Sequence, residues 1–70
     1  MAKAIELIVD GFVSLGDRQS LESLREHRRR LSVDLKSRSG FDYNFTIRRI
    51  EEEIAAIEIG LARLEQRSPV

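Results

Sequence analysis

The sequence predicts an all-α fold, in which a short N-terminal helix precedes a long antiparallel helical hairpin of coiled-coil type. Three observations predict it. Two stretches carry large aliphatic residues at alternating spacings of three and four, the N-terminal stretch is amphipathic at helical spacing, and glycine-containing breaks separate the stretches. Because 70 residues build only a small core, we expect one helical domain, 1–70, that assembles further into a helical bundle.

The first predicted helix covers about residues 3–15, where the apolar side chains fall mostly on one helical face. Gly16 is placed to form a left-handed C-cap, and Asp17 is placed to cap the helix that follows. The break between the two helices is therefore a tight turn. Because a helix of about three turns is not stable alone in water, it must dock on the rest of the chain.

The two long helices are predicted at about residues 18–37 and 46–66, with residues 67–70 as a frayed tail. Because the turn between them is short, we expect antiparallel neighbours whose apolar seams face each other. The predicted interaction seam consists of Leu21, Leu24, Arg28, Leu31, Leu35, Ile47, Ile50, Ile54, Ile57, Leu61 and Leu64.

Arg28 is a charged residue in the middle of this seam. A guanidinium cannot be buried without a partner, so Arg28 must reach the surface or meet a carboxylate. The expected register makes Glu58 the candidate within the chain, and a glutamate of a second subunit is the alternative. In coiled coils a single polar seam residue lowers stability but fixes register and oligomeric state.

The turn between the long helices, about residues 38–45, holds most of the aromatic residues. Asn44 or Thr46 is placed to cap the third helix, and a cap at Thr46 would set Phe45 against Ile50 as a hydrophobic staple. We expect the aromatic side chains of this turn to close the end of the core.

The same end of the hairpin carries a candidate anion or nucleic-acid patch, in which arginines and aromatic residues could stack on a nucleic-acid strand. Arg48 and Arg49 lie near the positive end of the third helix dipole, where an anion or an acidic partner is favoured. The patch consists of Lys36, Arg38, Phe41, Tyr43, Arg48 and Arg49.

A second apolar stripe on the third helix indicates a second neighbour, because the seam already uses one face of that helix. The first helix is the simplest candidate, and another subunit is the alternative. The predicted second interface consists of Ile5, Ile8, Phe12, Ala55, Ile59 and Ala62.

Composition and motifs argue against several classes of function. The 12 basic residues balance the 12 acidic ones, which removes the cationic field of a dedicated nucleic-acid binder. The chain has no cysteine and a single histidine, His27, which we interpret as a boundary residue. The carboxylates of Glu51–Glu53 point about 100° apart on a helix and cannot converge on one substrate atom. We therefore expect no enzyme activity, no cofactor and no metal site.

Glu6 and Asp10 interrupt the apolar N-terminal run, so we predict neither a signal peptide nor a membrane span and expect a cytoplasmic location. The predicted function is that of a structural or adaptor subunit. It would form a homo-oligomer, most simply a dimer, or dock on a larger protein assembly. Phage and prophage assembly factors are one example of such chains, although no residue here is specific to them. The alternative is a nucleic-acid-associated accessory protein that uses the basic, aromatic end of the hairpin.

Overall fold

The computed structural model describes residues 4–38 and 43–67. Over these residues the chain forms three α-helices that pack together and no strand, which confirms the predicted all-α class. The helices are α1 (Ala4–Leu15), α2 (Arg18–Ser37) and α3 (Asn44–Arg67). Phe41 and residues 68–70 lie outside the described part of the chain, and so do the predictions made for them.

The turn from α1 to α2 is built as its sequence predicts. Gly16 has a φ of 69°, and the N–H groups of Gly16 and Asp17 donate to the carbonyls of Val13 and Phe12 at 3.0 and 2.9 Å. This pair of bonds ends α1 in a Schellman motif. The Asp17 carboxylate then caps α2, because it accepts from the Ser20 N–H at 3.1 Å and from the Ser20 hydroxyl at 2.7 Å.

The core lies where all three helices meet, and α3 contacts both of the others. Gly60 of α3 is at the contact with α1, where a Cβ atom would meet the side chain of Val9 and lie 3.4 Å from Cγ2 of Val13. The absence of a side chain therefore lets the two helices approach closely. The buried core cluster consists of Ile5, Val9, Val13, Leu21, Ile57 and Leu61.

The inner face of α2 differs from the predicted seam at one position, where Ser32 rather than Leu31 is buried. Ser32 is only 5% exposed, whereas Leu31 keeps 42% of its surface in water. Burial on α2 thus includes Leu21 and Ser32, while Leu24, Arg28 and Leu35 are partly buried. Positions 28, 32 and 35 satisfy the spacing of three and four as well as 28, 31 and 35 do, and a pattern of large aliphatic residues favours Leu31 over the small serine.

The start of α3 also differs from the prediction. The Ile47 N–H donates to the Tyr43 carbonyl at 2.8 Å, so the first turn begins at Asn44 and contains Thr46 within it. Phe45 is 77% exposed, and the prediction that it packs on Ile50 to close the core is wrong. Residues five apart on a helix point about 140° apart, so Ile50 faces the core while Phe45 faces water.

Candidate interaction surfaces

Ion pairs join α2 to α3 along their flanks. Among three pairs that are exposed on both sides, the number of the partner on α3 falls as the residue number rises along α2. Both members of each pair are substantially exposed, so each contributes at most about 1 kcal/mol. The pairs are Arg18 with Glu65 at 2.8 Å, Arg29 with Glu58 at 3.1 Å and Lys36 with Glu51 at 3.4 Å.

Arg28 is partly buried and its Nε donates to Glu53 at 2.9 Å. The predicted partner, Glu58, is instead 3.1 Å from Arg29 and 4.0 Å from Arg25. Glu53 and Glu58 are five residues apart, which places them about 140° apart around α3, on opposite flanks of the helix pair. The expectation that Arg28 meets a carboxylate within the chain is met, but the register drawn through Glu58 is wrong.

The predicted second interface divides into two surfaces. α1 packs on α3 through Ile5, together with Val9 and Val13, and Phe12 is partly buried against the same core. Ile8 remains about half exposed. The first helix therefore docks as expected, but through a face centred on Val9 rather than on Ile8.

Ala55, Ile59 and Ala62 do not contribute to this docking. All three are exposed, and Ile59 keeps 63% of its surface in water. They lie on the outer side of α3, away from Gly60 and the buried residues that face α1. The prediction that α1 covers this stripe is wrong, because the close contact at Gly60 holds α1 on another face of α3. A second subunit over the stripe stays a prediction.

A shallow depression of about 430 Å³ runs between α2 and α3, and we name it the outer groove. Its apolar residues are Val33, Ile54 and Ala55, and Val33 is 66% exposed. Ala55 and Ile59 are four residues apart on α3, so the groove continues directly onto the exposed stripe. The rims carry opposite charges, with Arg29 and Lys36 on α2 and Glu51 and Glu58 on α3.

The predicted basic patch is not a single surface. Lys36 pairs with Glu51 across the outer groove, and Arg38 pairs with Asp34 at 2.8 Å. The hydrogen bond and charge of Asp34, and after them the Tyr43 side chain, raise the pKa of Arg38. Two of the four cations of the patch are therefore already matched by carboxylates of the same chain.

Arg48 and Arg49 differ from these two cations. Within the residues that the structure describes, neither guanidinium has an ion-pair or hydrogen-bond partner. Both line a cleft of about 410 Å³ between α1 and α3, which also contains Ile5, Phe45 and Ala56. We name it the α1–α3 cleft. The exposed aromatic ring beside it belongs to Phe45, which the sequence pattern had placed in the core.

The described residues contain no group of three histidine or acidic side chains arranged to hold a metal ion. Over the same residues, no helix combines the length and the hydropathy that crossing a membrane requires. Comparison with protein-family models, with curated proteins and with solved structures finds no match to this chain.

Proposed function

We propose that the chain is a non-enzymatic, cytoplasmic structural subunit that acts by forming a homodimer. In this dimer α2 and α3 form an antiparallel, coiled-coil-like hairpin, and two hairpins pack into a helical bundle. The order of the α2–α3 ion pairs supports the antiparallel hairpin. The observation that carries the dimer is the outer groove, an apolar surface between rims of opposite charge.

The extent of exposed surface supports a partner. The accessible surface of the chain is 5420 Å², against about 4,500 Å² for a compact monomer of 8.1 kDa. Its radius of gyration is 13.7 Å, against about 11 Å for a compact chain of this length. The chain thus leaves more surface in water than a compact monomer does, and a second copy over the outer groove would cover part of it.

The charges on the rims pair with each other across the groove within one chain, and they also favour one arrangement of the two copies. If the two-fold axis runs parallel to the helices, α2 of each copy lies over α3 of its partner, so basic rims meet acidic rims at equal heights. An axis across the helices would set α2 on α2, so that the basic rim of one copy, with Arg29 and Lys36, would lie against the basic rim of the other, which is unfavourable. A second copy with a parallel axis is therefore the occupant that the groove fits best.

Sedimentation equilibrium over a range of micromolar concentrations tests the dimer. We expect a reversible monomer–dimer equilibrium for the native chain, and a shift to monomer in the double variant Val33→Asp/Ile59→Asp, because a buried carboxylate without a partner opposes association. Leu7→Asp is the matched control, since Leu7 is similarly exposed on α1 and lies outside the groove. A monomeric mass for the native chain at every concentration would refute the proposal.

Disulfide cross-linking tests the relative orientation of the two copies, because the chain contains no cysteine that would form other links. Val33→Cys and Ala55→Cys chains are mixed, allowed to exchange and oxidised. With the parallel axis, the mixed disulfide between Val33→Cys and Ala55→Cys should form in preference to the link between two Val33→Cys chains. The reverse preference would assign the axis that crosses the helices.

A further inference from the structure

The α1–α3 cleft lies apart from the outer groove, and the two depressions are lined by different residues. Phe45, Arg48 and Arg49 form one cluster on α3, because residues three and four apart are neighbours on a helix surface. Exposed aromatic and arginine side chains beside an apolar depression are the composition of an interaction hot spot. Ile5 and Ala56 supply the apolar walls next to this cluster.

We propose that this cleft docks a short acidic peptide segment of a partner protein, one that carries an apolar side chain next to its carboxylates. The apolar side chain would pack on Phe45 and Ala56. The carboxylates would meet Arg48 and Arg49, whose guanidinium groups have no partner among the described residues and match a carboxylate in planar, two-bond geometry. The positive end of the α3 dipole favours the same ligand charge.

The other charges of the cleft favour a peptide over a nucleic-acid strand. Glu6, Glu52 and Glu53 also line the cleft. A nucleic-acid backbone carries a negative charge at every nucleotide and would place phosphates near these carboxylates. A peptide can present one or two carboxylates to the arginine pair and neutral residues elsewhere, so it need not place further negative charge near these glutamates.

The test uses the ¹⁵N-labelled native chain and the octapeptide Ser-Gly-Asp-Glu-Phe-Leu-Gly-Ser, followed by amide chemical shifts. We expect saturable shifts confined to the residues around the cleft, and at least about tenfold weaker binding of a peptide with Asn-Gln in place of Asp-Glu. The variant Arg48→Gln/Arg49→Gln should lose binding by a similar factor, and Phe45→Ala should weaken it through the apolar contact.

The variant Arg18→Gln/Arg63→Gln is the matched control, since it changes the net charge equally at two exposed arginines that already pair with Glu65 and Asp10. It should bind the octapeptide as the native chain does. Equal weakening in this control, shifts spread over the surface, or no saturable shift would overturn the proposal. So would tighter binding of a decathymidylate strand, which would assign the cleft to nucleic acid.

This inference does not depend on the dimer. Sedimentation of the Arg48→Gln/Arg49→Gln variant should match that of the native chain, whereas Val33→Asp/Ile59→Asp should still bind the octapeptide. Failure of one proposal can therefore be told from failure of the other.

Discussion

Two glycines within helices are expected to respond differently to the same substitution. Gly11 lies in α1 and Gly60 in α3, so replacement by alanine raises helix propensity at both, by about 1 kcal/mol. A Cβ at Gly11 has nothing within 4 Å. Gly11→Ala should therefore increase the free energy of unfolding by roughly the full propensity gain.

At Gly60 the new methyl group would overlap Cγ1 of Val9, which is buried. Valine in a helix has one strongly preferred rotamer, so Val9 cannot turn aside without strain, and α1 would have to move away from α3. Overpacking of this kind costs about 1–3 kcal/mol. The propensity gain is common to both variants, so Gly60→Ala should be less stable than Gly11→Ala by that same ~1–3 kcal/mol.

Thermal unfolding followed by far-ultraviolet circular dichroism, at one fixed protein concentration, measures the difference. For a domain of this size, 1 kcal/mol shifts the Tm by about 4–8 °C, so a difference of about 1–3 kcal/mol should make Gly11→Ala melt roughly 4–24 °C above Gly60→Ala. The double variant Gly60→Ala/Val9→Ala should show a favourable coupling, because it removes the overlapping methyl group. Equal melting temperatures for the two glycine variants would refute the close contact of α1 with α3.

Three further predictions concern the packing, the buried charge and the cap. Leu21→Ala should lower the free energy of unfolding by about 2–5 kcal/mol, because Leu21 is fully buried, whereas Leu31→Ala should cost clearly less; urea unfolding compares them. Arg28→Leu should add ~1 kcal/mol to the free energy of unfolding and raise the Tm, because the Glu53 carboxylate keeps access to water without its partner. Light scattering should show a broader distribution of assembly states. A lower Tm with a single assembly state would show instead that the Arg28–Glu53 ion pair is needed for stability. Asp17→Ala should lower the Tm at neutral pH. In acid, its Tm should fall less than that of the native chain. The Ser20 hydrogen bonds lower the pKa of Asp17 from its usual 3.8. Their contribution to the free energy of unfolding is therefore complete above pH 3.8, and it is lost as the pH falls through the lowered pKa of the folded state.

The sequence predicts the helices well because their signals are local. The cap at Asp17 and the left-handed Gly16 depend on residues next to each other in the chain, and both are confirmed. The range of α2 agrees with the prediction at both ends, and α1 ends at Leu15 as predicted, while residue 3 lies outside the described part of the chain. α3 begins two residues earlier and ends one residue later than predicted. Capping and periodicity depend on residues close together in the sequence, so they can be recognised without knowledge of the tertiary contacts.

The arrangement of surfaces is harder to predict, because it depends on which face each helix turns to its neighbours. Periodicity alone cannot decide whether Ser32 or Leu31 is the buried residue of α2. It also cannot show that α1 packs on the face of α3 that contains Gly60 rather than on the stripe that contains Ile59. The cleft at Phe45 was missed for a similar reason, since an aromatic residue in a turn is typical of a core. Its signal in the sequence was the adjacent Arg48–Arg49 pair.

The unequal lengths of the helices have a consequence for how the molecule opens. α1 has 12 residues and α3 has 24, or about 18 and 36 Å, so α1 can cover only about half of α3. The core cluster accordingly involves Leu21 at the start of α2 and Ile57 and Leu61 in the later half of α3. Local unfolding should begin where two helices rather than three meet. Amide hydrogens of residues 31–37 should therefore exchange with solvent earlier than those of residues 20–27, and α2 should open from Ser37 towards the Gly16 turn.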